Sequence, residues 1–313
     1  MGVVREYVDK GVRVYIVSKE YSDEVLEKKK LGTKLKNRDC KVLVSGDADV
    51  YTDEGKLLLR FRKGVLPLEN VEKAYENLIG FAKCRTTTRG ATSATPPGQR
   101  YTNTNIPTMS NIIGYFDKWT IKHRGMFKAL GIKPPFEVRV TRFTTLYPEK
   151  WEAVVPLIQD IDRMYAQLAP QQHAKQLRQV NQTAYRIPKT AFTTVTTNVN
   201  FQTACHTDSG DYKDGFGNLV VIEKGKYKGA YTVFPQYGVG VDVRTGDFLA
   251  MDVHQVHGNT PITMTTKDAI RLSLVSYLRE GVVAKSKGTT NAHIRKNIAT
   301  MAAIQQKCKE VKI

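Results

Sequence analysis

From Phe192 to Tyr277 the chain has a period near two, is rich in Thr and Val, and is punctuated by glycines at 210, 215, 217, 225, 229, 238 and 246. Alternate side chains of a strand point to opposite faces, so this pattern decides which residues meet a core, while the glycine turns send the chain back at short intervals. Several short strands with regular turns predict a β-sandwich or barrel of jelly-roll type.

Upstream the spacing becomes helical. Val71, Ala74, Leu78 and Phe81 predict a helix over Glu69–Ala82; Val154, Val155, Leu157, Ile158, Ile161 and Met164 predict a longer one over Trp151–Leu168, ended by Pro170. Lys41–Ser45 and Lys56–Phe61 flank the turn Asp53-Glu54-Gly55 and predict a β-hairpin. Arg85–Asn105 is rich in Thr, Gly, Pro and Arg and reads as a long loop, whose Arg85, Arg89 and Arg100 are candidates for phosphate contact. Ile112–Leu130 mixes Tyr115, Phe116 and Trp119 with Lys122, His123 and Arg124; stacking on an extruded base is one use of such a stretch, and core packing is the reading preferred here. Lys285–Ile313 is basic with an amphipathic stretch, either a docked helix or a DNA-binding tail. The expected division is an N-terminal α/β extension (1–150), a core with its supporting helix (151–284) and a basic C-terminal helix or tail (285–313).

The 48 Lys and Arg against 30 Asp and Glu leave a net charge of +18, which favours polyanion partners, nucleic acid first, although a merely basic protein would show the same balance. The four cysteines, Cys40, Cys84, Cys205 and Cys308, form no CxxC pair, so neither a disulfide framework nor a structural zinc site is expected. Met1–Lys10 has no apolar signal region, and no stretch approaches a membrane span. The expectation is a soluble, intracellular, cytoplasmic protein without membrane contact, acting as a monomer.

Within the strand-rich region, His206 and Asp208 stand two apart, on one face of an extended segment entering the Ser209-Gly210 turn. A further ligand must come from elsewhere, and His254 and His257 compete. His257 shares the parity of Leu249, Met251 and Val253 and is therefore taken as the inward one. Two imidazoles and a carboxylate are a ligand set for iron(II) that leaves positions for a 2-oxo acid and dioxygen. Arg271 follows on a strand; its planar fork suits the distal carboxylate of 2-oxoglutarate, with the Ser273 hydroxyl on the same face.

Phe192, Val195-Thr196, Phe201, His206-Thr207-Asp208, Gly246-Asp247, His257-Gly258-Asn259-Thr260, Arg271-Leu272-Ser273 and Tyr277-Leu278-Arg279 together resemble the TET/JBP family, the iron(II)- and 2-oxoglutarate-dependent dioxygenases that oxidise the 5-methyl group of pyrimidines in nucleic acid. The resemblance implies an α+β fold with a double-stranded β-helix core, iron held by His206, Asp208 and His257, and 2-oxoglutarate anchored by Arg271. It also implies that the residue three beyond the metal carboxylate, Asp211, approaches the target base. The expected substrate is methylated DNA with the base flipped. An ionised Asp211 only accepts hydrogen bonds, which suits the cytosine amine, so the expectation is 5-methylcytosine giving 5-hydroxymethylcytosine; thymine giving 5-hydroxymethyluracil is the alternative. Rivals are a protein hydroxylase or N-methyl demethylase sharing the metal site, and a non-catalytic nucleic-acid-binding jelly-roll protein.

Overall fold

The computed structural model describes residues 2–86, 92 and 107–311. In chain order the elements are β1 (Val3–Asp9), β2 (Val12–Val17), α1 (Asp23–Lys29), β3 (Val42–Val44), β4 (Ala48–Thr52), β5 (Leu57–Arg62), α2 (Leu68–Ala82), β6 (Ser110–Phe116), α3 (Ile121–Ala129), β7 (Arg139–Val140), α4 (Arg142–Leu146), α5 (Pro148–Leu168) and α6 (Pro170–Val180). There follow β8 (Thr194–Val199), β9 (Gly217–Lys224), β10 (Tyr227–Gly229), β11 (Thr232–Phe234), β12 (Val239–Val241), β13 (Phe248–Met251), β14 (Gly258–Asn259), β15 (Ile262–Met264), β16 (Ile270–Tyr277), α7 (Glu280–Ser286) and α8 (Asn291–Glu310).

A ten-stranded sheet, in the order β1-β2-β4-β5-β13-β9-β16-β8-β6-β7, faces a four-stranded one, β14-β11-β12-β3. Alternation along the central strands builds both sides of the large sheet. Phe248, Ala250, Val220, Ile222, Leu272 and Leu274 pack against the stripes of α2 and α5, including Leu78, Val154, Leu157 and Ile161. The intervening Leu249, Met251, Leu219 and Val221 pack against Phe234, Val239 and Val241 of the small sheet. The result is an α+β protein with a jelly-roll-like core and helices on one outer face.

One reading of local order needs correction. The hairpin partner of β5 is β4, not the 41–45 segment, whose β3 instead pairs in parallel with β12 in the small sheet. Pro170 does stop α5, but it also opens α6, where a missing N–H costs nothing at the first turn. Strands from before residue 150 bond directly into the sheet that carries the later ones, β5 to β13 and β6 to β8, so a boundary at 150 cuts one continuous sheet. In the C-terminal segment, α8 is docked: Ile294 packs with Tyr115, Val138, Tyr185 and Val282, and buried Asn297 donates to the Val138 carbonyl and the Tyr185 hydroxyl, 2.8 Å each.

Candidate active site

His206 and His257 are held by the backbone before any ligand is considered. The two residues form an isolated antiparallel bridge, His206 N–H to the His257 carbonyl at 2.9 Å and the reverse at 3.0 Å. Close approach is possible because His257 is followed by Gly258, where a Cβ would stand 3.1 Å from the Cys205 nitrogen. Asn259 ties the same strands together: its Oδ1 accepts from the Thr203 hydroxyl at 2.6 Å, while its carbonyl accepts from Gln202 at 3.0 Å.

Each imidazole is oriented by its own chain. His206 Nδ1 donates to the Ala204 carbonyl at 2.8 Å and His257 Nδ1 to the Gln255 carbonyl at 2.9 Å, which leaves both Nε2 lone pairs for a metal. Asp208 presents one oxygen 3.5 Å from His206 Nε2 and the other 3.8 Å from His257 Nε2. The three ligand atoms lie within 4.8 Å of one another. Burial, and then the neighbouring His206, push the His257 imidazole well below its ordinary pKa, keeping it neutral and able to coordinate.

The fold brings His257 to this point and not His254, but strand parity is not the reason. β13 ends at Met251 and Asp252–Gln255 is a turn, in which the Asp252 carboxylate accepts the His254 N–H at 3.0 Å. That turn sends the His254 ring to the Tyr212 carbonyl, 3.2 Å away.

Arg271 and Ser273 alternate with Leu272 and Leu274 on β16, so they face the small sheet and line the same cavity of about 520 Å³ as the three ligands. Asn200, in the left-handed region at φ 49°, closes the end of β8 by accepting the Arg271 N–H at 2.7 Å. The Arg271 side chain is 4% exposed and its Nε has no hydrogen-bond partner. Burial pulls its pKa down. Tyr227 and Glu223 act on it from within the chain, but among the described residues it forms no salt bridge, so the guanidinium is open to an anionic ligand.

Asp211 is buried on the cavity wall, its N–H on the Asp208 carbonyl at 3.2 Å and its backbone bridged to Arg279. Arg279 itself pairs with Asp117 at 2.9 Å. Of the three loop arginines, Arg85 is exposed beside the Thr86–Thr108 bridge, whereas Arg89 and Arg100 lie outside the described residues. Residues 112–130 divide: Tyr115 and Phe127 are core, but Phe116, Lys118, Trp119 and Arg124 line the cavity, the Trp119 indole donating to the Phe136 carbonyl. The preference for core therefore overlooked half of that stretch; the basic residues interleaved with its aromatics were the available signal.

The oxygenase domain of the 2OGFeDO superfamily, Tet_JBP, matches residues 130–280, a span that contains every one of the five residues above. Residues 130–280 thus carry a TET/JBP-type oxygenase domain. Its TET/JBP relatives include the bifunctional helicase and thymine dioxygenase JBP2 of Leishmania tarentolae, 32% identical over 186 residues covering 58% of this chain and 16% of that protein. Thymine dioxygenase JBP1 of Crithidia fasciculata is 29% identical over 258 residues, 82% of this chain and 28% of the relative. JBP1 of Trypanosoma brucei brucei is 35% identical over 174 residues, 54% and 19%. The chain thus spans less than a third of the length of these relatives. NgTET1, solved in complex with 5mC DNA, shares the fold at a TM-score of 0.56 and 17% identity, over 87% of this chain and 84% of that one. The TET/JBP cofactors fit the residues present: a His-Asp-His set suits iron(II), and a buried cation whose Nε is unpartnered suits the far carboxylate of 2-oxoglutarate.

Proposed function

We propose that the chain is an iron(II)- and 2-oxoglutarate-dependent dioxygenase that hydroxylates the 5-methyl group of a pyrimidine in DNA, with thymine as the base. The observation that carries the reaction class is one cavity holding both the three-ligand cluster and the buried guanidinium of Arg271. His206, Asp208 and His257 would hold the iron, and Arg271 with the Ser273 hydroxyl would hold the co-substrate. Bound there, iron with 2-oxoglutarate and dioxygen supplies the oxidation that places one oxygen atom on the methyl carbon and the other in succinate, with release of carbon dioxide.

The chain's own part is orientation and exclusion. The backbone carbonyls of Ala204 and Gln255 fix the imidazole tautomers, and the strand face of Arg271 and Ser273 sets where the co-substrate lies. A methyl group within a stacked duplex cannot reach a recessed cluster, so the base must turn out of the helix.

Thymine is supported over 5-methylcytosine by the relatives named thymine dioxygenases. The preference for the cytosine amine rested on Asp211 acting as a lone acceptor. Arg279 stands bridged beside that residue, so the wall near it carries a donor as well as an acceptor, and a thymine carbonyl has a partner. The test is mass spectrometry of nucleosides from matched oligonucleotides with thymine or 5-methylcytosine as the oxidisable base, incubated with protein, iron(II) and 2-oxoglutarate. 5-Hydroxymethyluracil is the expected product; 5-hydroxymethylcytosine alone would return the base choice to 5-methylcytosine, and neither product would remove the reading.

A further inference from the structure

The mouth of the cavity has a built cationic edge. β7, the outermost strand of the large sheet, carries Arg139, and its neighbour β6 ends in Phe116. The Arg139 guanidinium carbon lies 5.4 Å from the centre of the Phe116 ring, and that of Arg279 lies 5.0 Å from it. One ring therefore carries two guanidinium groups.

The two cations are not equivalent. Arg279 is neutralised by Asp117 at 2.9 Å. Arg139 donates its Nε to the Lys118 carbonyl at 2.7 Å, which fixes the plane of the fork, and among the described residues it forms no salt bridge. Burial lowers its pKa to about 10, so it stays charged near neutrality, and the carboxylate that acts on it, Asp117, is already paired with Arg279. Lys118, whose carbonyl holds Arg139, and Arg124, both exposed, also line the cavity, whereas the carboxylates lining it, Asp208 and Asp211, lie with the ligand cluster and the turn after it. A ligand that is neutral at its inner end and anionic at its outer end matches this polarity, which is the layout of a nucleotide entering base first.

We propose that Arg139, braced on Phe116 and accompanied by Lys118 and Arg124, is the phosphate clamp of the site and holds the backbone next to the extruded base. The proposal rests on the nucleic-acid reading above, and it places the backbone contact at the β6–β7 edge, in a part of the chain remote from Arg85. A guanidinium offers a phosphate two parallel N–H donors, and the brace at Nε leaves its terminal nitrogens for that purpose.

The test is binding of a labelled oligonucleotide, followed by fluorescence anisotropy across a series of salt concentrations with iron-free protein. Arg139→Gln should weaken binding by about tenfold and reduce the slope of log affinity against log salt by roughly one, as expected for one lost phosphate contact. Arg5→Gln, on the opposite edge strand β1, should change neither. Should Arg139→Gln lose its native melting transition, Arg124→Gln, which is exposed, carries the same slope measurement. An unaltered affinity and slope in a folded variant would overturn the clamp. So would a wild-type protein that oxidises DNA but binds it with no dependence on either residue; a wild type that binds through Arg139 without oxidising any methyl group would instead sink the reaction and leave the clamp standing.

Discussion

Arg244 and Arg271 are neighbours around Tyr227, and their surroundings are opposite. Arg244 donates to Asp242 at 2.6 Å and to Glu223 at 3.0 Å, and its guanidinium carbon lies 4.4 Å from the centre of the Tyr227 ring. Burial pulls its pKa down, but the bonds to Asp242 and Glu223 outweigh that and raise it. Arg271, beside the hydroxyl of the same tyrosine, is more deeply buried; Glu223, its strand partner on β9, is already committed to Arg244 and Thr245. Burial then wins and the pKa falls. The fold gives salt-bridge partners to one cation and none to the other among the described residues, the contrast expected between a structural arginine and one open to an anionic ligand.

Arg271→Met tests the contrast most severely. Co-substrate binding, measured by calorimetry on manganese-loaded protein, should weaken by more than about a hundredfold, since both arms of a charge-assisted pair are lost. The ligand-free variant should melt at or above the wild-type temperature, because an uncompensated buried charge has been replaced by an apolar chain. A large loss of stability without change in co-substrate affinity would reverse the roles of the two arginines. Arg271→Lys should have the next largest effect, roughly ten- to a hundredfold on the 2-oxoglutarate requirement, as a point charge replaces the two-donor fork.

Arg244→Met should act in the other direction. Chemical denaturation should show a loss of about 2 kcal/mol from stranding Asp242 and Glu223, with the co-substrate requirement little changed at a permissive temperature. Gly210→Ala extends the comparison to Arg279, a third arginine with a carboxylate partner. An added Cβ would clash with the Arg279 guanidinium, which must shift and so weaken its pair with Asp117, at a cost of about 1 kcal/mol visible in the melting temperature.

The smallest effect concerns a buried group that becomes charged at high pH. Burial, and then Asp252, push the Tyr237 phenol from about 10 to about 12. A raised folded pKa means that this contribution to stability is complete below pH 10 and is lost as pH rises towards 12. Tyr237→Phe should therefore flatten the fall of melting temperature over that window, and an identical alkaline profile would show that the phenol does not titrate with unfolding.

Much of the site could be read from local pattern. His206 and Asp208 are neighbours in sequence, and the alternation of Arg271-Leu272-Ser273-Leu274 placed Arg271 and Ser273 on one face because the side-chain period of a strand is two. The stripes of α2 and α5 were equally legible, since each helix buries one face against the sheet. Where the reading failed, the deciding contact was distant. Parity was applied through Asp252–Gln255, yet a turn held by the Asp252 carboxylate interrupts the strand there. β3 was assigned to the nearest strand in sequence, while its ladder partner β12 is almost two hundred residues later.

The sequence by itself determined the chemistry available: which residues are imidazoles, carboxylates and guanidinium groups, and which face of each regular element is apolar. Only the tertiary structure decided which charges are matched. Whether Arg244, Arg271, Arg279 or Arg139 is neutralised depends on Asp242 and Glu223, on Asp117, and on the edge position of β7, all set by packing between segments far apart in the chain. Spacing in sequence fixes side-chain direction within one element, but the electrostatic state of a buried cation is the sum of every group that packing brings within a few ångströms of it.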